Sequence, residues 1–251
     1  KNMDKLEGVI KFKDVNFSYT KDKQVLYDFN LQVKAGQKVA LVGSTGSGKT
    51  TVVNLLMRFY DVDSGEILID DVNIKEIDCA TLRKNTAIVL QDTVLFADTI
   101  KNNLKYSNEA ATDEQMYAAA VMSNCDTMIN KMPLKYDTEL MAEGENISQG
   151  QRQLLSIARA FLAQPKILIL DEATSNVDTR TEKHIQDAML KLMENRTSLI
   201  IAHRLSTIQD ADIIVVMDEG HIVEAGNHKE LLNKMGRYYK LYMTQFAGQT
   251  I

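Results

Sequence analysis

The stretch GSTGSGKT, Gly43 to Thr50, constrains this chain more than any other. It matches G-x-x-x-x-G-K-[ST], a loop whose glycines let backbone N–H groups curl round an anionic phosphate. Such a loop needs a strand before it and a helix after it. KVALV, Lys38 to Val42, is a short apolar run of the kind buried on both faces of a sheet. A helical pattern follows over Lys49–Tyr60. The runs ILIDDVNI, TAIVLQD, KILILDEA, TSLIIAH and DIIVVMDEG repeat the buried-strand theme. Helical patterns at Gln151–Ala163 and Thr181–Met193 lie between some of them. Alternation of this kind predicts an α/β core with a mostly parallel sheet.

Two flanking regions read differently. IKFKDVNFSY alternates apolar and polar residues and VLYDFNLQV follows it, which predicts an N-terminal antiparallel β subdomain. From about Thr93 to Ala163 the chain is helix after helix, as in DEQMYAAAVMSN and CDTMINKM. The expected organisation is an α/β core over 1–92 and 164–251, with a helical subdomain inserted at 93–163. The tail HKELLNKMGRYYKLYMTQF reads as helical with an apolar face.

At 251 residues the chain has room for one large α/β domain or two small ones. A net charge of −5 argues against a dedicated nucleic-acid binder. Cys79 and Cys125 stand far apart and make no metal-type spacing, which fits a reducing compartment. The longest apolar run is about six residues, against the roughly 18 needed to span a bilayer. The chain opens KNMDKLEG, without an initiator Met, and is expected to be part of something longer.

Several residue types carry chemistry at these positions. Lys49 is placed to reach the β and γ oxygens of a nucleotide, and the Thr50 hydroxyl to sit on Mg²⁺. Asp171 and Glu172 end a buried strand, where acids point into the ligand crevice of an α/β sheet. Asp171 suits a magnesium ion and Glu172 an attacking water. Strand-end acids also serve as solvated edges or helix caps. His203 and Gln91 end two further strands, within reach of the same chemistry, though a lone His is usually structural. Tyr19, upstream of the loop, can stack on a base or simply pack. In GENISQGQRQLLSIARA, Ser148 precedes a helix whose first N–H groups favour an anion, and Ser148 also reads as an ordinary N-cap.

Taken in order and spacing, GSTGSGKT, ILILDEATSNVD, IIAHR and ISQGQRQ resemble the ATP-binding cassette ATPases. QDTVLFADTIKNNL and EGENISQGQRQ are most similar to bacterial exporters, in which membrane and ATPase domains share one polypeptide. The resemblance implies that Tyr19 stacks on adenine. It implies that Gly43, Ser44, Thr45, Gly46, Ser47, Gly48, Lys49, Thr50 and Thr51 wrap the phosphates of ATP. Gln91 would sense Mg²⁺, with Thr50 and Asp171 as its other protein ligands. Glu172 would be the catalytic carboxylate and His203 the switch histidine. Ser148, Gln149, Gly150 and Gln151 would cap the γ-phosphate held by a second cassette, and Ser175 to Asp178 would cross that dimer interface.

The family's usual signature is S-G-G-Q, whereas this chain has S-Q-G-Q with Gln149 in second place. A complete hydrolytic half beside an altered signature suggests a heterodimeric exporter with a different cassette as partner; the alternative is a homodimer that tolerates Gln, since a helix-start N–H needs no particular side chain to bind phosphate. The resemblance further implies a transmembrane domain upstream, a place at the cytoplasmic face of the membrane, and no nucleic-acid partner. The other readings are a soluble ATPase switch of the same family, acting on ribosomes or DNA, and a phosphate-loop GTPase. Tandem cassettes, a long coiled-coil insertion and basic arms are absent from this sequence. The GTPase base-reading N-K-x-D is absent too, because NKMP places Pro133 where Asp belongs.

Overall fold

The computed structural model describes residues 6–90, 94–172 and 177–245. The chain divides into two compact units: 1–86, 166–172 and 196–251 in the first, 87–165 and 173–195 in the second.

In the first unit, β1 (Ile10–Thr20) and β2 (Lys23–Val33) form an antiparallel hairpin, followed by β3 (Lys38–Val42) and α1 (Lys49–Leu56). Next come β4 (Ser64–Ile69), β5 (Val72–Asn73) and α2 (Cys79–Asn85). A strand β6 (Thr86–Val89) leads into the second unit. That unit contains α3 (Ile100–Lys105), α4 (Asp113–Met122), α5 (Asp126–Asn130) and α6 (Gln149–Ala163). The chain returns to the first unit through β7 (Ile167–Asp171) and leaves it again for α7 (Thr179–Met193). It finishes with β8 (Thr197–Ile201), α8 (Leu205–Gln209), β9 (Ile213–Asp218), β10 (His221–Gly226), α9 (His228–Asn233) and α10 (Arg237–Gln245).

The N-terminal sheet is antiparallel throughout, in the order β2-β1-β4-β5. Its alternation follows the sequence: Ile10, Phe12, Val15 and Phe17 face inward and meet Leu26, Phe29 and Val33. Here one expectation is corrected. ILIDDVNI is not a core strand but the hairpin β4–β5 of this sheet. Asp70 and Asp71 both adopt positive φ, 50° and 62°, the conformation of a two-residue hairpin turn. The Asp70 carboxylate also accepts from the backbone of Glu7, Gly8 and Val9, tying down the start of β1. Gly65 is required where it stands, because a Cβ would lie 2.3 Å from the Asp14 carbonyl oxygen.

The first unit's strands in the large sheet run in the order β10-β9-β3-β8-β7. β3 is parallel to β8 and β9, and β8 is parallel to β7. Leu41 and Asp171 both pair with Ile201, so the C-terminal ends of β3, β8 and β7 are level. All five residues of β8 are buried, as two-sided covering of a parallel sheet requires. Leu41, Ile69 and Leu55 are fully buried, each such side chain worth about 1.5–3 kcal/mol of transfer free energy. The α/β class, with an antiparallel N-terminal sheet and an inserted helical region, is the one expected from the sequence.

Helix ends differ from the periodic reading for local reasons. α1 stops at Leu56 rather than Tyr60 because Arg58 turns to φ 53°. α6 begins at Gln149 because Ser148 caps it. The tail is two helices, since Met235 at φ 50° breaks α9 from α10.

Candidate functional site

The level strand ends deliver three loops to one edge of the sheet: Gly43 onward after β3, Glu172 after β7, and His203 after β8. The first loop is fixed by its glycines. Gly43, at φ 152°, lies so close to β9 that a Cβ would sit 2.3 Å from the Met217 carbonyl oxygen. Gly48, at φ 104°, is the N-cap of α1 and offers no side-chain acceptor, so the first N–H groups of α1 face the loop. Lys49 is buried, and its Nζ donates to the Gly43 carbonyl at 2.8 Å, the Ser44 carbonyl at 2.9 Å and Ser47 Oγ at 3.2 Å. Burial pulls this ammonium below the ordinary lysine range, and the negative charge of Asp171 opposes the shift. A cation held by neutral acceptors beside helix N–H groups is an anion site. Ser44, Thr45, Gly46 and Thr50 are exposed along the loop, while Ser47, Gly48 and Thr51 are buried.

Asp171 is half-buried at the last position of β7. Glu172, 3% exposed, turns toward β8 and α8. Its Oε2 accepts from the backbone N–H of His203 at 3.0 Å and of Arg204 at 3.1 Å, and its Oε1 from the Thr207 hydroxyl. The carboxylate is therefore tied to the backbone of the strand-end histidine. The His203 residue itself is exposed. Tyr19, 44% exposed, stands over α1. Its hydroxyl lies 3.1 Å from Thr51 Oγ1 and accepts from Asn54 Nδ2 at 3.1 Å. Its ring meets Phe17 and Tyr60 edge-on, at centroid distances of 4.8 and 5.1 Å.

In the second unit, the start of α6 is a capping box. Ser148 Oγ accepts from the Gln151 N–H at 3.2 Å, and Gln151 Oε1 accepts from the Ser148 N–H at 2.9 Å. Arg152 donates to the carbonyls of Gly144 and Ile147, bracing the turn before it. Gln149 is half-buried and takes a helical backbone with no positive φ. Gly150 is buried where a Cβ would meet Thr181 Cγ2 at 2.5 Å and Val177 Cγ1 at 3.0 Å.

Residues 26–175 match the family model described as ABC transporter, more than half of the chain. The chain belongs to the ABC transporter family. It is an ATP-binding domain of that family, and its relatives include exporters. An ABC transporter ATP-binding protein of Bacillus subtilis (strain 168), YfiC, is 54% identical over 239 residues, covering 95% of this chain and 40% of the relative. The fatty acid ABC transporter ATP-binding/permease protein of Mycobacterium tuberculosis (strain CDC 1551 / Oshkosh) is 51% identical over 94% of this chain and 37% of its own length. Among solved structures, a bacterial Atm1-family ABC exporter with ATP bound superposes with a TM-score of 0.90 and is 41% identical, over 96% of this chain and 42% of that one. The chain spans about two fifths of the length of these proteins.

Within this ABC transporter domain, the structure brings the loop, Lys49, Asp171, Glu172 and His203 to one sheet edge. Gln91 lies outside the described residues, as do Ser175 and Asn176 of the SNVD segment. Asp178, the last residue of that segment, is the N-cap of α7 and accepts from the Thr181 N–H at 3.0 Å, bonds that hold its carboxyl below the usual range. Three neighbours were not singled out from the sequence: Asn54, Tyr60 and Thr207. Asn54 was legible in principle, because it stands three residues after Thr51 on one helix face. Nothing in the sequence marks Thr207 beyond its position four residues after His203. No helix among the described residues is long and apolar enough to cross a membrane.

Proposed function

We propose that this chain is the ATP-hydrolysing cassette of an ABC exporter, closing on a second cassette around ATP and driving movement of a solute by an attached transmembrane domain. The observation that supports the reading is the level edge of β3, β7 and β8, from which the Gly43 loop, Asp171, Glu172 and His203 all follow. Gly43 to Thr51 cradle the phosphates, Lys49 pairs with them, and Tyr19 presents its ring to the base. Thr50 and Asp171 suit Mg²⁺. Both offer hard oxygen donors, and Asp171 already acts electrostatically on Lys49. Gln91 joins them as the third ligand. When bound, the ion neutralises phosphate charge. Glu172 orients and deprotonates the attacking water, and His203, whose N–H holds Glu172, lies beside the γ-phosphate.

Residues 93–163 form the helical subdomain that carries Ser148 to Gln151 to the partner's nucleotide. The partner is a different cassette, making a heterodimer at the cytoplasmic face of a membrane. The names of the relatives support an exporter over a ribosome- or DNA-directed switch. The test is Glu172→Gln in the full-length protein. The amide is nearly isosteric and cannot act as a base, so turnover is expected to fall by about 10²–10⁴ while ATP still binds. Near-normal hydrolysis by this variant would sink the assignment.

A further inference from the structure

Three groups from two elements meet at the Tyr19 hydroxyl, and their chemistry favours one direction. Thr51 and Asn54 are three residues apart on α1, so both side chains reach one point above the helix. Tyr19 Oη lies 3.1 Å from each of Thr51 Oγ1 and Asn54 Nδ2. A carboxamide nitrogen only donates, so Asn54 gives its hydrogen to the phenol oxygen. The phenol has one hydrogen of its own, and the nitrogen cannot accept it. Between Tyr19 Oη and Thr51 Oγ1 either oxygen can donate; with the carboxamide nitrogen on the phenol oxygen, Thr51 Oγ1 is the acceptor at hand for the phenol hydrogen. Thr51, 4% exposed, then holds its own hydroxyl hydrogen for a different acceptor. Phosphate oxygens accept and never donate when ionised, and Thr51 follows directly on the phosphate loop.

We propose that Asn54 and the Tyr19 hydroxyl form a directed relay, Asn54 to Tyr19 to Thr51, that aims the Thr51 hydroxyl at the nucleotide's phosphates and makes Asn54 a positioning residue for ATP. The proposal rests on the reading above that Gly43 to Thr51 hold phosphate and that Tyr19 faces the base. Phe17 and Tyr60 hold the Tyr19 ring at interplanar angles of 84° and 88°, so ring and hydroxyl move as one body. The residue that recognises the base thereby also sets the polarity of a phosphate contact. The two ends of the nucleotide are read by one rigid group rather than by two independent ones.

The test measures labelled-ATP binding and steady-state hydrolysis in the full-length protein carrying this chain. Asn54→Leu and Tyr19→Phe are each expected to weaken ATP binding about 3- to 10-fold, the value of one neutral hydrogen bond, with the loss read in KM rather than kcat. In a Thr51→Val background both effects should vanish, because the hydroxyl they orient is gone. In a Thr51→Ser background they should persist. If Asn54→Leu costs the same with and without the Thr51 hydroxyl, or costs nothing, the relay is wrong. Tyr19→Ala separates the two readings. Loss with Ala but none with Phe leaves the base contact standing and removes the relay, whereas wild-type affinity with Ala removes the base contact itself.

Discussion

Lys49 and the two cysteines show how a residue's surroundings decide its use. The Lys49 ammonium is buried on neutral acceptors with Asp171 only partly offsetting the desolvation, so its charge is incompletely compensated until an anion arrives. Lys49→Ala is accordingly expected to weaken MgATP binding about ten- to hundredfold, the worth of a hydrogen bond to a charged group. Equilibrium binding of labelled ATP measures it, and unchanged affinity contradicts the loop's assigned role. Cys125 is the opposite case. It is buried beside Ser123 Oγ, and desolvation pushes its thiol up to about 12, so at neutral pH it stays protonated and unreactive. Cys79 is exposed. Maleimide labelling followed by peptide mapping should modify Cys79 in the native protein and reach Cys125 only after unfolding. Rapid native labelling of Cys125 would show that the second unit opens far more readily than its packing implies.

Among the helices, α6 carries a tight packing constraint close to its start. An added Cβ at Gly150 would sit 2.5 Å from Thr181 Cγ2, a short branched group with no slack. Gly150→Ala gains about 1 kcal/mol of helix propensity but pays overpacking of about 1–3 kcal/mol, so net destabilisation is expected. Adding Thr181→Ser removes that methyl and should recover most of the loss in thermal unfolding; no recovery would place the cost elsewhere. The sequence reading assigned Gly150 to phosphate approach and missed this contact, because α7 lies far along the chain and a single sequence holds no record of which helices touch. What was legible had a local cause. The strand–loop–helix around Lys49 is fixed by glycines and a buried apolar run. The capping box at Ser148 has its own i, i+3 signature. The β4–β5 hairpin was misread because a short apolar run is the same in either sheet, and only the left-handed Asp70 and Asp71 decide it. The Thr207 contact to Glu172 depends on how β8 and α8 meet, which no periodicity records.

For the molecule as a whole, the two halves of the chemistry are unevenly equipped. The edge of β3, β7 and β8 presents the Gly43 loop, Asp171, Glu172 and His203, the set the proposed hydrolytic site needs. The helix start proposed to face the partner has Gln149 where the family's signature has Gly. The backbone does not demand Gly there, since Gln149 is helical and carries no left-handed φ. The difference lies in the side chain. On a helix Cβ atoms tilt toward the N-terminus, so at the first position the added atoms project into the space an anion at that end would use. In the proposed heterodimer such a chain would work best opposite a cassette with an ordinary signature, which would complete the site containing Glu172. The site completed by Gln149 would then be the weaker of the two. Expressed without any partner gene, the full-length protein would have Gln149 in both sites and is expected to show little solute-stimulated hydrolysis. Gln149→Gly should restore it, since both sites then regain the standard helix start. A homodimer of the unaltered protein, hydrolysing ATP with transported solute stimulating it, would overturn the heterodimer proposal. Failure of Gln149→Gly to raise activity would remove side-chain crowding as its cause.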